Sequence, residues 1–477
     1  MGKKKIISLI CKVLTIVSSI LALLFIYFIY NLNLLTWKYL LIIISLVILF
    51  YLFFYLINFN KRILTGFKIF TTVFVILFGI VFSFGMQYID KTSDFFHSIT
   101  GDLEQKEEYF VKTLDNSEFT VISHLKNKKI GAYVSADEAT INVAKELVNK
   151  KIDFEFVKYT DISLMFEDLE NGIIDAVIIN ELIDGLRQQE LNNMSNLRII
   201  YSVLVPLVTL EEAKEVDVTN HTFNVFVAGG DAYGNINKVM NTDVNMVITV
   251  DPVKKKLLLT SIPRDYYVNL PTKGEDAYDK LTHAGYYGIQ ESILAVEKLL
   301  DIEINYYVKV NFSTIVDLID AIGGIEVYSD YAFSESAYEK YSYKVGINKL
   351  NGEQALAFAR ERYSFPDGDI QRVKNQQKVL TAVVNKVASS SVIITKYLEM
   401  LDSVSDSFAT NLDTESINKL VKMQLDEMVM WTIKSQNLTS GDGSTKQITY
   451  TFPTLELYVM PQNEESVKEA SKAIKNF

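Results

Sequence analysis

Arginine is the residue type whose distribution along this chain first suggests chemistry. Of the 47 basic residues in the sequence only seven are arginine. They are Arg62, Arg187, Arg198, Arg264, Arg360, Arg362 and Arg372. Four of the seven fall between positions 264 and 372. The guanidinium group is a planar fork of donors that binds phosphate or carboxylate oxygens bidentately, whereas lysine is a flexible point charge. The cluster therefore predicts a site for an anionic group.

Each of these arginines, taken alone, has a simpler explanation. An arginine commonly pairs with a neighbouring carboxylate, and Arg264 is followed directly by Asp265. For any one arginine this structural role competes evenly with phosphate binding. Four arginines within one predicted domain make a shared anionic partner the better interpretation of the group.

Two aspartates lie where they could meet at one rim of a sheet. Asp231 ends an apolar run and Asp243 precedes the next, so a turn between the runs would bring both carboxylates together. A few carboxylate oxygens, completed by phosphate oxygens, suit magnesium, with manganese as the alternative ion. Most aspartate pairs at such a spacing only cap turns, so the pair alone does not decide between the two readings.

No covalent nucleophile is apparent in the sequence. It contains no Gly-x-Ser-x-Gly elbow and no Walker glycine loop, and His283 is expected to be structural. Phosphoryl transfer needs positioning and charge stabilisation more than covalent help. Catalysis would then depend on a metal ion and arginines that stabilise a leaving pyrophosphate.

Hydrophobic periodicity predicts the elements that must position these residues. The predicted strands are Phe223–Ala228, Val244–Val250 and Leu257–Ser261, and the predicted helices are Tyr286–Leu300, Phe312–Ile322, Gly352–Arg362 and Asp369–Ala388. Mixed strands and helices of this kind indicate an α/β (α+β) domain, a central sheet flanked by helices, over residues 221–390. Residues 391–477 are expected to form a C-terminal extension that packs on this domain.

A smaller α/β unit is predicted ahead of that domain, within residues 90–220. Strand and helix patterns alternate as β-α-β-α-β between Lys129 and Ile179. The polar stretch from Asp90 to about Thr120 is expected to be a helical stalk. An accessory domain with no ligand of its own and half of a solute-binding domain are both compatible with this pattern.

Three apolar stretches within residues 1–89 predict transmembrane helices. They are about Val13–Tyr30, Tyr39–Phe59 and Ile69–Ile89, and each is close in length to the roughly 20 residues that a helix needs to cross a bilayer. Lysines and arginine flank the first span and fill the second connection, whereas the first connection has only Lys38. The positive-inside rule therefore predicts a cytoplasmic N-terminus and an extracytoplasmic main domain. The net charge of -11 argues against a nucleic-acid partner.

Several motifs between Thr222 and Val387 resemble the LytR-CpsA-Psr (LCP) family of cell-wall proteins. The motifs are Ala228-Gly229-Gly230-Asp231, Asp243-Val244-Asn245-Met246, Ser261-Ile262-Pro263-Arg264-Asp265, Lys280-Leu281-Thr282-His283-Ala284, Asp320-Ala321-Ile322-Gly323-Gly324, Leu350-Asn351-Gly352-Glu353, Ala359-Arg360-Glu361-Arg362 and the run from Gly368 to Gln377. The three spans and the accessory unit are similar to the capsule-protein arrangement of that family.

The resemblance implies a membrane-bound phosphotransferase of a Gram-positive bacterium. Such proteins attach an anionic glycopolymer, capsule or teichoic acid, from an undecaprenyl-pyrophosphate carrier to peptidoglycan outside the cell. Carried over to this chain, the roles of the matching positions are as follows. Asp231 and Asp243 would hold magnesium; Arg264, Arg360 and Arg362 would be catalytic and bind pyrophosphate with Gln376 and Lys280; Asp369 and Arg372 would support them.

One departure from the family pattern is Asn241, because the family commonly has arginine at this position. This departure and the absence of an obvious general base leave open a second function, in which the chain senses a lipid-linked intermediate and regulates polymer synthesis. A third possible function is hydrolysis of polyprenyl pyrophosphate, with water as the acceptor.

Overall fold

The computed structural model covers the whole chain. It describes residues 2–477 except 101–104, 135–136, 190–195, 208–212, 231–235, 237–238, 240, 337–339, 367, 390–399, 401–402, 404–407 and 428. Asp231 therefore lies outside the described residues, and of Asp369 the backbone alone is described.

Three long apolar helices open the chain. They are α1 (Lys3–Leu32), α2 (Trp37–Phe59) and α3 (Thr65–Thr100), and each is long and apolar enough to cross a membrane. Ser18 joins all three, since its hydroxyl lies 2.6 Å from that of Tyr51 on α2 and donates to a backbone carbonyl of α3. Each of the three predicted spans lies within one of these helices, and α1 and α3 extend beyond the predicted spans. In hydrocarbon such polar contacts favour one packing of the helices over others.

The accessory unit is a five-stranded sheet with helices. Its strands follow the order β3-β2-β4-β1-β5. The elements are β1 (Lys106–Leu114), β2 (Lys129–Tyr133), α4 (Glu138–Asn149), β3 (Glu155–Tyr159), α5 (Ile162–Glu170), β4 (Ala176–Asn180), α6 (Glu181–Gln189) and β5 (Leu197–Pro206). The predicted β-α-β-α-β alternation corresponds to β2 through β4.

The helical stalk expected from Asp90 to Thr120 is wrong for its second half. Helix α3 does continue to Thr100, but Lys106–Leu114 is strand β1, paired with β4 on one side and β5 on the other. The charged start of the segment favoured a helix. The buried Tyr109 and Val111 alternate with less buried neighbours, and a place between two strands outweighs local propensity.

The main domain is built on a six-stranded sheet with the order β16-β11-β6-β7-β8-β17. Its strands are β6 (Phe223–Gly230), β7 (Val244–Asp251), β8 (Lys256–Ile262), β11 (Tyr306–Asn311), β16 (Phe408–Thr410) and β17 (Thr432–Asn437), with the pair β9 (Tyr267–Asn269) and β10 (Tyr278–Lys280) beside them. The expected α/β (α+β) fold is confirmed. The segment after residue 390, expected to pack on this domain, supplies both outermost strands of its sheet.

The helices of the domain carry the remaining motifs. They are α7 (Leu281–Ala284), α8 (Ile289–Leu300), α9 (Phe312–Ala321), α10 (Gly352–Arg360), α11 (Asp369–Ser389), α12 (Thr414–Glu427) and α13 (Glu464–Lys475). Short strands β12 (Ile325–Ser329), β13 (Phe333–Ser334), β14 (Ser342–Tyr343), β15 (Gly346–Leu350), β18 (Lys446–Ile448) and β19 (Glu456–Tyr458) complete the domain. Gly323 and Gly324 have φ of 78° and 81°, a backbone conformation that favours glycine and forms the turn between α9 and β12.

Strand directions bring the motifs to one edge of the six-stranded sheet. Strand β11 is parallel to β6, β17 is parallel to β8, and β7 is antiparallel to both β6 and β8. The ends of β6, β8, β11 and β17 therefore meet the start of β7 at the same edge. Residues that directly precede β7, or that directly follow β6, β8, β11 or β17, must therefore lie along this edge of the sheet.

Helix α12 lies against the connection between α1 and α2. The Asn418 amide donates to the Leu32 carbonyl at 3.1 Å, and the Lys422 ammonium donates to the Asn33 side chain at 2.6 Å. The Thr36 hydroxyl donates to Asp426 at 2.9 Å. The main domain and this connection are therefore at the same end of the helical bundle.

Candidate active site

An ion pair between Arg264 and Asp243 lies at the centre of the candidate site. Asp243 directly precedes β7 and Arg264 follows β8, so antiparallel pairing of the two strands brings them together. The Arg264 Nη1 donates to Asp243 Oδ1 at 2.8 Å. The side chains are 25% and 16% exposed, so both can still meet a ligand. A charge-assisted contact of this kind holds the guanidinium in one orientation.

Asp265 extends this pair to Lys280. Its carboxylate lies 3.5 Å from Arg264 Nε and 3.4 Å from the Lys280 ammonium. The backbone supports the arrangement, because Thr282 N–H donates to the Arg264 carbonyl at 2.9 Å. Two cations and two carboxylates thus form one cluster, in which Arg264 has both the neighbouring partner expected from the sequence and Asp243.

Arg360 and Arg362 directly precede and follow a buried glutamate, Glu361, in the sequence. Arg360 ends α10, and its guanidinium carbon is 5.0 Å from the centre of the Phe312 ring, at the start of the helix that follows β11. Arg360 is therefore near the same edge of the sheet as Arg264. The guanidinium carbon of Arg362 lies 4.6 Å from the centre of the Tyr363 ring.

Glu361 fixes the segment between these two arginines. It is 4% exposed and accepts backbone hydrogen bonds from Ser336 at 2.6 Å and Ser364 at 2.9 Å. Burial opposes its ionisation, but these hydrogen bonds outweigh burial and hold the pKa of Glu361 below its usual value. Sequence reasoning assigned Glu361 no role, because a glutamate between two arginines has the appearance of a surface charge.

The first half of α11 packs against the ends of β8 and β17. Its Gln377 side chain donates to Ser261 Oγ at 2.9 Å and to Asn437 Oδ1 at 2.6 Å. The neighbouring Gln376 is half-buried on the same helix. Arg372, one helical turn earlier, is 7% exposed. The contacts of Gln377 bring this part of α11 to the edge that carries Arg264.

A buried aspartate–histidine pair underlies Lys280. The His283 Nδ1 lies 2.6 Å from Asp279 Oδ1, and Asp279 is fully buried. Burial opposes ionisation of Asp279, but His283 and the hydrogen bonds from Thr451 outweigh burial and lower the pKa of the Asp279 carboxyl. His283 also packs edge-on against Phe452, with 5.7 Å between ring centres. These contacts agree with the structural role expected for His283.

The carboxylate of Asp243 is of the chemical type that would hold a magnesium ion. Among the described residues no group of three or more His, Cys, Asp or Glu side chains could hold a metal. Magnesium does not require such a group, since it is often held by one or two carboxylates together with substrate phosphates and water. Asp243 keeps part of its carboxylate exposed. Asp231, the other predicted ligand, lies outside the described residues.

Asn241, the position at which the sequence departs from the expected motif, contacts the Lys280 segment. Its side-chain oxygen lies 3.4 Å from the Thr282 hydroxyl that donates to it. Thr242 N–H also donates to the Thr282 carbonyl, at 3.4 Å. The segment before Asp243 is therefore attached to the segment after Lys280.

The sequence model of the LytR_cpsA_psr family matches residues 206–465 of this chain. A curated relative from Enterococcus faecalis, a polyisoprenyl-teichoic acid–peptidoglycan teichoic acid transferase TagU, is 37% identical over 218 residues, 44% of this chain and 70% of that protein. Biofilm regulatory protein A of Streptococcus mutans is 35% identical over 223 residues, 44% of this chain and 55% of that protein.

Among solved structures, one described as TagT bound to LI-WTA aligns with 57% of this chain and 98% of its own, at 26% identity and a TM-score of 0.44. The structure of B. subtilis TagV aligns with 54% of this chain and 97% of its own, at 26% identity and a TM-score of 0.45. The family model covers more than half of the chain, and its match includes every motif that forms the candidate site. The chain belongs to the LytR-CpsA-Psr family.

Proposed function

We propose that this protein transfers an anionic glycopolymer from a polyprenyl-pyrophosphate carrier to peptidoglycan. The observation that carries the proposal is the cluster of Arg264, Asp243, Asp265 and Lys280, at the edge of the sheet where Arg360 contacts the start of α9. Forked donors beside partly exposed carboxylates suit a pyrophosphate that is bound with a divalent cation. The curated relative from E. faecalis is named for this transfer.

In the proposed reaction a peptidoglycan hydroxyl oxygen attacks the phosphorus nearer the glycan. The new phosphorus–oxygen bond forms as the bond to the bridging oxygen breaks, and the polyprenyl monophosphate leaves with that oxygen and its electron pair. The hydroxyl proton passes to solvent or to a nearby carboxylate. Polymer and acceptor end as a phosphodiester, so atoms and charge balance.

The roles of the side chains follow from their chemistry. Arg264, Arg360 and Arg362 would bind the pyrophosphate oxygens and stabilise the charge that develops on them, with Lys280 and Gln376 beside them. Asp243 would hold magnesium together with Asp231. When bound, the ion would neutralise pyrophosphate charge and make the lipid monophosphate a better leaving group.

We also propose that the main domain lies outside the cell. The connection between α1 and α2 contacts α12 of this domain, as the Lys422–Asn33 hydrogen bond illustrates. The basic residues Lys3–Lys5, Lys61 and Arg62 lie at the other end of the bundle, which the positive-inside rule assigns to the cytoplasm. An extracytoplasmic domain is where carrier-linked polymers meet peptidoglycan.

A regulatory function is the second candidate. It is favoured by the name of the S. mutans relative and by Asn241 in place of the usual arginine. In that case the site would bind the lipid-linked polymer tightly without turning it over.

Product analysis separates these functions. The full-length protein in lipid nanodiscs would be incubated with carrier-linked polymer, magnesium and a peptidoglycan oligomer. Transfer predicts a covalent polymer–peptidoglycan product together with polyprenyl monophosphate. Monophosphate without ligation would identify a pyrophosphatase, and stable binding without either product would identify a sensor.

A further inference from the structure

The accessory domain contacts the very segment that leads into Asp243. The Val239 N–H donates to the carbonyl of Lys106, the first residue of β1, at 3.0 Å. The Val239 side chain is 7% exposed and belongs to a hydrophobic cluster made mainly of accessory-domain residues, among them Val177 and Ile179 of β4. Both the backbone and the side chain of Val239 are therefore held by the accessory domain, four positions before the carboxylate.

A second contact reaches the segment that carries Lys280. The Tyr133 hydroxyl of β2 donates to the Thr451 carbonyl at 3.1 Å, and the Tyr133 ring stacks on Phe452 with 6.1 Å between centres. Thr451 in turn donates its N–H to Asp279 at 2.8 Å. Phe452 is fully buried between the accessory domain and His283. Thr451 and Phe452 thus connect the buried Asp279–His283 pair to Tyr133 of the accessory domain.

A third contact fixes the helix that follows. Gln105 immediately precedes β1, and its side-chain oxygen accepts a hydrogen bond from Ile289 N–H, the first residue of α8, at 3.1 Å. Gln105 is 6% exposed. Helix α8 begins five positions after Ala284. The accessory domain therefore contacts the Lys280–Ala284 motif through Thr451 and Phe452, and contacts the start of the next helix through Gln105.

We propose that the accessory domain is a working part of the pyrophosphate site, because it sets the positions of the Asp243 and Lys280 segments through Val239, Tyr133 and Gln105. The inference rests on the proposed function and adds a role for the accessory domain. Val239 is a positioning residue here: it would act through Asp243 and would not touch the substrate. Misplacement of a reacting group by about 1 Å can lower the rate of an enzyme about a hundredfold.

The test compares two valine-to-alanine substitutions in one hydrophobic cluster. Each removes two methyl groups. Val239→Ala changes the segment that leads into Asp243, whereas Val177→Ala changes the buried strand β4 of the accessory domain. For full-length protein in nanodiscs, the dissociation constant of undecaprenyl pyrophosphate and the magnesium concentration for half-maximal binding would be measured beside the thermal unfolding temperature. Val239→Ile, which keeps the apolar anchor, serves as the conservative variant.

Val239→Ala is expected to raise both constants about tenfold, equivalent to about 1.4 kcal/mol of binding free energy, with Val239→Ile within about twofold of wild type. Val177→Ala is expected to lower the unfolding temperature at least as much while it changes either constant less than about twofold. Equal effects of the two alanine variants on binding, or no effect of Val239→Ala, would overturn the positioning role. Failure of the wild-type protein to bind the lipid would instead overturn the proposed function on which this role depends.

Discussion

At the scale of single residues, the pairing of Arg264 with Asp243 connects the two halves of the proposed chemistry. Arg264 is a proposed pyrophosphate ligand and Asp243 a proposed magnesium ligand, and they are 2.8 Å apart. Asp265 and Lys280 continue the cluster, so the charge of each cation is offset by a neighbouring carboxylate. A bound pyrophosphate and its metal ion would add opposite charges to a site already arranged for both.

Replacement of Arg264 by lysine tests whether fork geometry matters or charge alone. Arg264→Lys keeps the positive charge but loses the bidentate donors, so we expect carrier-lipid affinity to fall about tenfold or more, roughly 1.4 kcal/mol. Arg264→Ala should weaken binding further. Calorimetric titration with polyprenyl pyrophosphate measures both variants. Wild-type affinity in the lysine variant would mean that charge suffices.

A matched control for this prediction is Arg198→Lys in the accessory domain. Arg198 Nη2 donates to the carbonyls of Ser117 and Phe119 at 2.9 and 3.2 Å, away from the site. The same substitution there should leave lipid affinity unchanged. A comparable loss of affinity in Arg198→Lys would mean that the effect of Arg264→Lys is not local.

The sequence predicts these residues better than it predicts their supports. Arginines are conspicuous in a lysine-rich chain, and the position of Asp243 follows from the predicted strand that it precedes. Glu361 and Asp279 were assigned no role, because burial is what distinguishes them from surface carboxylates and burial depends on distant segments such as Ser336 and Thr451. Local patterns carry no information about such partners.

At the scale of elements, helix α10 carries Arg360 as its last residue, and its N-terminus is fixed by a capping box. Asn351 caps the N-terminus: its side chain accepts from Gln354 N–H, while the Gln354 side chain accepts from Asn351 N–H, a complete capping box. At the other end Arg360 closes the last turn. Gly352 packs so closely that a Cβ there would lie 2.2 Å from the Val316 carbonyl of α9.

Loss of the α10 cap should therefore affect both stability and binding. Asn351→Ala is expected to lower the free energy of unfolding by about 1 kcal/mol and to weaken lipid binding, since the helix that carries Arg360 starts less firmly. Asp161→Ala removes an N-cap of the accessory helix α5 and is the matched control. Thermal unfolding and lipid titration of both variants test this. Equal binding losses in the two would contradict a specific role for α10.

Elements with local periodicity were predicted well, and elements that depend on distant pairing were not. Helices α9 and α11 and strands β6 to β8 agree with the sequence patterns to within a few residues. Strands β1, β16 and β17 depend on partners far along the chain, such as Val308 for Thr410 and Leu257 for Ile433. A three-residue strand such as β16 has no periodicity of its own to recognise.

At the scale of the whole molecule, the accessory domain buries an ionisable group, Glu107. Glu107 of β1 is 5% exposed and accepts from the Asn180 amide at 2.6 Å. Burial raises the pKa of Glu107 to about 7, although hydrogen bonds from Asn180 and Tyr109 oppose the increase. The folded protein therefore holds a proton on Glu107 at a pH where the unfolded chain has released it.

This pKa gives the stability of the molecule a pH dependence of defined sign. A raised carboxyl pKa stabilises the fold at low pH, and the contribution is lost as the pH rises from about 4.5 to about 7. At about 1.4 kcal/mol per pKa unit the loss reaches about 3 kcal/mol. Glu107→Gln mimics the protonated form, so this loss of stability at higher pH should disappear in the variant.

Unfolding temperatures of the two proteins at pH 5 and pH 8 measure this effect. Glu107→Gln should be the more stable protein at pH 8 and nearly equal to wild type at pH 5. Parallel changes in both proteins would mean that Glu107 does not titrate in this range.

The central claim, transfer of the polymer with its nearer phosphate, is tested most directly by following each phosphorus of the carrier. Carrier-linked polymer labelled with ³²P at either phosphate would be given to the full-length protein with magnesium and peptidoglycan oligomer. The proposed reaction predicts that the glycan-side label enters peptidoglycan, that the lipid-side label stays in polyprenyl monophosphate, and that Arg264→Ala greatly slows both. Glycan-side label that never reaches peptidoglycan, or an Arg264→Ala protein with wild-type rates, would contradict it.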